Sequence, residues 1–254
     1  MLLFPPAHSF RHNAMKKKKK GLCPCVRSRV IEFHIQSSQL LEVLPIVKYS
    51  ALSLFADRFY PALSRLEDSS GTENWLLRPV GESNLQLFAL VSLWVSSKAH
   101  NTPPLSVKTL KSLADKFIKE QHYTKGDLLE AEMVFMQVLE FEIGMSNIAF
   151  VFVEELLIQL KVVARVGEHV KFEACMDVMD LLYENEETSV LYSSPQALAA
   201  SIVVVAYVVT VPPQRWDFPV LPWGKNLINC TTFFLLFLLL VSPQDMNHHI
   251  MTRK

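Results

Sequence analysis

An all-α fold is predicted by three features of the chain. Apolar residues recur at three- and four-residue spacing through most of positions 26–215, the period of a helix face. Glycine is scarce, 7 in 254 residues, which disfavours a sandwich built on glycine turns. Prolines and short polar links punctuate the periodic stretches, so that five helices fit into the first 120 or so structured positions. Half of the residues are hydrophobic, enough to bury the core of one large domain or two small ones.

The elements follow in order. Val30, Ile31, Phe33 and Ile35 mark a first helix from Val26, interrupted at Ser37-Ser38. Pro45 suits a helix first turn. It opens a second helix carrying Ile46, Val47, Tyr49, Leu52, Leu54, Phe55 and Phe59, with Pro61 near its end. Residues 67–74 form a polar loop. A third helix runs from about Ser83 to His100 and is stopped by Asn101-Thr102-Pro103-Pro104. Ser106 caps a short fourth helix through Phe117. Thr124 and Asp127 make an acidic variant of the capping box and open a fifth through Phe141, with Gly144 as a stop. A second series comprises Asn147 to Leu160, Phe172 to Tyr183 and Pro195 to Val211, ended by Pro212-Pro213. The last is rich in β-branched residues, yet a lone strand among helices has nothing to pair with. It reads as the buried central helix of a second bundle, and its apolar length falls short of the ~20 residues that cross a bilayer.

The two ends differ from the rest. Residues 1–25, with Lys16 to Lys20, read as a disordered basic tail or, functionally, a nuclear-import address. No long apolar run follows that cluster, which argues against a secretory signal. From about Gly224 the chain becomes an apolar tail, Leu227 to Val241, without amphipathic periodicity. We read residues 224–254 as an atypical ending of the kind a retained intron would encode, with a membrane anchor as the rival. The second bundle, residues 144–223, is then incomplete.

Composition narrows function. Lysine plus arginine equals aspartate plus glutamate, 25 each, so no net field draws the chain to nucleic acid or lipid. Four scattered cysteines suit a reducing compartment; Cys23-Pro24-Cys25 is too tight for the usual zinc pair, and no second Cys/His pair completes a metal site. His100, His122 and His169 have no Ser/His/Asp or metal-ligand spacing around them, and there is no Gly-rich phosphate loop. We expect no enzyme activity, cofactor or small-molecule substrate.

Two charges stand out. Lys98 ends the apolar run 85–98, with Leu90, Val91, Trp94 and Val95 behind it on the same face. Glu132 lies among Leu128, Leu129, Phe135 and Met136. Either charge snorkels from an apolar edge to water, or the two mark a site where another protein docks.

The order of motifs resembles the cyclin family, well over residues 26–143 and more weakly over 146–215. Asp57-Arg58-Phe59 resembles the family's second-helix signature, Leu85 to Ser97-Lys98 its third helix, and Tyr123-Thr124-Lys125 to Glu142 its fifth. The wording around Pro45 to Phe55 and Pro212 to Trp216 looks closest to the J-class cyclins of plants. The resemblance implies a five-helix cyclin box at 26–143 and a regulatory subunit that binds and activates a cyclin-dependent serine/threonine kinase in cell-cycle control, in the nucleus or cytoplasm. It implies that Lys98 and Glu132 contact the kinase near its mobile C-helix. It also implies an internal ion pair between a first-helix arginine and Asp57, best matched by Arg29, with Arg27 possible if the register slips.

Three departures qualify this. Ala99-His100-Asn101 stands where the family commonly has an aromatic and two acids. Ser28, Glu32 and Ile35 occupy the matching places of the family's apolar substrate-docking patch. Residues 1–40 hold no Arg-x-x-Leu destruction signal. Phe135, Leu139 and Phe152 are candidates for an apolar interface or for the domain's own core. The alternative functions are a cyclin-fold scaffold for transcription, binding DNA or other proteins, and a truncated non-activating isoform.

Overall fold

Helix α4 (Glu82–Ala99) is the axis on which the rest is built. From Leu85 to Ser97 nearly every side chain is buried, as expected of a helix whose residues are apolar apart from Gln86 and small serines. It packs against α1 (Pro24–Leu40), α2 (Pro45–Leu52), α5 (Val107–Phe117) and α6 (Lys125–Val138). These elements belong to a computed structural model that describes residues 24–66, 74–77, 80–100, 103–144, 147–163, 169–185 and 194–211. The basic tail before Pro24, the loop 67–73, Pro212-Pro213 and the apolar tail from Gly224 lie outside the described residues.

All described secondary structure is helical. Pro45 sits at the start of α2, and the helix continues through π-helical turns, Ser53–Phe59, into α3 (Tyr60–Leu66). The wider turns set Phe59 against Phe88 of α4 and Phe135 of α6, with ring centroids 4.6 and 4.7 Å apart. Ser106 caps α5 by accepting from the Thr109 N–H, and only Leu110 and Ala114 of that helix are fully buried. Thr124 and Asp127 form the reciprocal capping box of α6.

Helix α6 does not run on to Phe141. After Leu139, Glu140 and Phe141 take left-handed backbone, φ 54° and 59°. The Phe141 N–H returns to the Met136 carbonyl at 2.8 Å and the Glu140 N–H to Gln137 at 3.0 Å, a Schellman ending with glutamate where glycine is usual. Gly144 therefore plays no part in the stop.

A second group comprises α7 (Ala149–Val163), α8 (Phe172–Glu184) and α9 (Pro195–Thr210). The β-branched run of α9 is helical, with Ile202, Val203 and Val205 buried, and the helix packs on both α7 and α8. Helices α1 and α2 meet α8 and α7 along a seam where Tyr49 stacks on Phe150 at 5.1 Å. Among the described residues no helix is long and apolar enough to cross a membrane.

Candidate functional site

Lys98 and Glu132 come together. Lys98 is near the C-terminal end of α4 and Glu132 in the middle of α6, and their charged groups are 2.6 Å apart. The ammonium also lies 3.7 Å from the centre of the Trp94 ring, one turn back on α4. A cation over an indole face is held electrostatically, so Trp94 and Glu132 together fix where the ammonium sits. The pair keeps contact with solvent, with side-chain exposures of 41% and 22%. The neighbouring surface of α6 is apolar and open: Leu129, one turn before Glu132, and Met133, one turn after Leu129, are each 54% exposed. Phe141, just past the end of α6, is exposed as well. An exposed ion pair on a helix that also leaves Leu129 and Met133 uncovered suits a surface that another helix can cover. Phe135 and Leu139, by contrast, belong to the core, and Phe152 is half-buried against it.

The expected pairing of Arg29 with Asp57 is not the one found. Arg29 makes a forked contact with Glu82, Nε to Oε1 at 3.0 Å and Nη2 to Oε2 at 2.6 Å, at the N-terminal turn of α4. Its guanidinium donates to the Glu82 carboxylate and lowers that group's pKa. The buried arginine of α1 is Arg27, which shares its face with Val30, Ile31 and His34 at helical spacing. Arg29 lies about 200° further round the helix and cannot share that face. Arg27 Nη1 donates to the Tyr183 carbonyl at 3.2 Å, and the Tyr183 hydroxyl donates to Asp57 Oδ2 at 3.3 Å. Asp57 still reaches solvent, but the protein crowded about it desolvates the carboxyl and pushes its pKa up to about 6, against the opposing pull of Ser53, Tyr183 and Arg27. The brace that ties α1 to the second-helix region therefore runs from Arg27 through Tyr183 to Asp57.

Sequence reasoning missed a further charged cluster at the seam. Lys48 of α2 binds Asp180 of α8, Nζ to Oδ1 at 2.6 Å, and Tyr49 donates to Asp180 Oδ1 at 3.1 Å and to the Met176 carbonyl at 2.9 Å. Burial and the Asp180 charge raise the Tyr49 pKa well above the ordinary phenol value. The signal is present in the sequence: Asp180 interrupts Val178-Met179 and Leu181-Leu182, as Glu132 interrupts its own apolar run and Lys98 ends one.

Of the substrate-patch positions, Ser28 and Glu32 are exposed and Ile35 is buried, so the three do not form one apolar surface. His100 turns inward to Ser50. Among the described residues no group of three or more His, Cys, Asp or Glu side chains could hold a metal ion.

Comparison with known proteins gives these features a context. A model of the cyclin N-terminal domain matches residues 6–144. The chain is 58% identical to Cyclin-J18 of Arabidopsis thaliana over 204 residues, 80% of this chain and 87% of the relative. It is 48% identical to Cyclin-J18-like of Oryza sativa subsp. japonica over 206 residues, 79% of each chain. Among solved structures it is similar to a viral cyclin from herpesvirus saimiri, with a TM-score of 0.57 at 17% identity, covering 83% of this chain and 79% of that one. That likeness concerns the fold.

Proposed function

Since this chain belongs to the cyclin family, and to its J-class, we propose that it is a regulatory subunit that docks on a cyclin-dependent serine/threonine kinase and activates it in cell-cycle control. The observation that carries this reading is the Lys98–Glu132 pair, held at 2.6 Å on a surface where Leu129 and Met133 are uncovered. A kinase helix laid on that surface covers the apolar side chains. The pair then trades part of its mutual contact for backbone groups of the incoming helix, which orients the partner.

The mechanism is a population shift. A kinase whose C-helix swings between outward and inward positions is biased inward by a partner that binds the inward position more tightly. The inward helix completes the kinase's own lysine–glutamate ion pair and favours an ordered activation loop. The cyclin contributes no reacting group; it supplies differential binding energy. Lys16 to Lys20 would serve nuclear entry of the complex.

The test is capture of purified cyclin-dependent kinases on the full chain, followed by phosphorylation of a protein substrate. Lys98→Ala and Glu132→Ala are each expected to weaken capture by about 30-fold or more, the scale of a docking hot spot, with helical content unchanged. Retention of kinase activation by the double variant refutes the assignment. Retention on DNA at low salt in place of kinase capture favours the scaffold function instead.

A further inference from the structure

We propose that His100 is a positioning residue for Lys98: it lashes the last turn of α4 to α2 and so sets where the docking ammonium stands. This rests on the docking function just proposed for Lys98.

Ser92, Ser96 and His100 occur at every fourth position of α4 and form one stripe. Each makes a hydrogen bond to a neighbouring helix. Ser92 Oγ lies 3.0 Å from His34 Nε2 in α1. Ser96 Oγ donates to the Val47 carbonyl at 2.8 Å. His100 Nε2 lies 2.8 Å from Ser50 Oγ. Val47 and Ser50 are one turn of α2, so the end of α4 is tied to that turn at two points.

Lys98 is two residues from both Ser96 and His100, about 200° round the helix from each. The lashing and the docking charge thus lie on opposite sides of the same turn. His100 is also where α4 stops, and its own N–H returns to Ser96 O at 3.2 Å. A terminal turn held only by such backbone bonds frays. The Ser50 contact prevents this on the α2 side, while the Leu105 N–H donating to Ser97 Oγ at 3.1 Å secures the chain that follows. Lys98 reaches Glu132 at 2.6 Å and Trp94 at 3.7 Å only while the turn is closed. Desolvation lowers the pKa of His100, so its ring is an uncharged hydrogen-bonding group at neutral pH rather than a second docking cation.

The experiment is a double-mutant cycle on the full chain. The probe is the tightest-binding member of a purified panel of cyclin-dependent kinases. His100→Ala is expected to weaken capture about tenfold in the native background and less than about twofold in Lys98→Ala, because its effect passes through the lysine. Hydrogen exchange of the amides from Ser96 to His100 should accelerate in His100→Ala. His100→Gln, whose amide can reach Ser50, should restore both exchange and affinity. Equal losses in the two backgrounds, or failure of His100→Gln to restore affinity, overturn the proposal. The Lys98→Ala variant keeps the two levels apart. If it alone binds kinase normally, the docking function fails and this role falls with it; if it binds poorly while the cycle is additive, only the role of His100 fails.

Discussion

Lys98 with Glu132 and Lys48 with Asp180 are both ammonium–carboxylate pairs at the same separation, 2.6 Å. They differ in solvent and in company. The first pair is open to water and rests on an indole ring, with uncovered leucine and methionine on the helix that carries its glutamate. The second is 12% and 4% exposed, and Tyr49 supplies another hydrogen bond to its carboxylate. An exposed pair adds little to stability, because water screens it and serves either charge nearly as well. It is therefore free to be exchanged for a partner's groups. A buried pair cannot be exchanged, since the loss of either member leaves the other charged and without water. One fold has placed the same kind of pair where it can be given up and where it cannot.

That contrast is tested most severely at the seam. Asp180→Ala should lower unfolding free energy by about 3–5 kcal/mol in chemical denaturation, because Lys48 is stranded. Lys48→Met together with Asp180→Leu should recover most of that loss; if it does not, the pair provides more than its own neutralisation. Next in size is a pH effect on the same side of the molecule. His34 is fully buried, its Nδ1 has no hydrogen-bond partner among the described residues, and desolvation, with the nearby Lys48 charge, lowers its pKa to about 3. The folded state thus refuses a proton that the unfolded chain accepts below about 6.5, so stability falls as pH drops from there toward 3, by about 2 kcal/mol at pH 5. Asp57, raised to about 6, works in the opposite sense, since the folded state takes up its proton first. The diagnostic quantity is therefore the difference between the native chain and His34→Leu, which should lose the His34 component of the pH slope. The smallest stability change is expected at the open pair. Lys98→Ala or Glu132→Ala should shift unfolding by no more than about 1 kcal/mol. Exchanging the two, Lys98→Glu with Glu132→Lys, keeps the charge pair but gives up the cation over Trp94, so it should cost about 1 kcal/mol and still abolish kinase capture. A large loss of stability from either single variant would erase the distinction between the pairs.

The parts of this fold that were legible in the sequence are those decided locally. Pro45 at the start of α2, Ser106 before α5, and Thr124 with Asp127 before α6 act within one turn, so their consequences are written beside them. Lys98 and Glu132 were visible as charges in apolar stripes, and the structure shows that they meet; their contact with a kinase stands as a proposal. What was not legible depends on register or distance. Arg27 and Arg29 are two positions apart, and only the packing of α1 decides that Arg27 turns inward while Arg29 reaches Glu82. The π-helical turns at Ser53–Phe59 leave no composition signal. Lys48 and Asp180 are 132 positions apart in the sequence, so each reads as an isolated oddity until the two groups are brought face to face.

The charged joint also bears on how the molecule is made. Synthesis proceeds from the amino end, so α1 and α2 leave the ribosome before α8. Until then their mating face presents Arg27 and Lys48, cations that water solvates readily, together with the phenol of Tyr49. Those charges make the face less prone to premature sticking to other nascent chains than a wholly apolar one. Once α8 arrives, Asp180 is the counter-charge that turns a wet surface into a dry, directional closure.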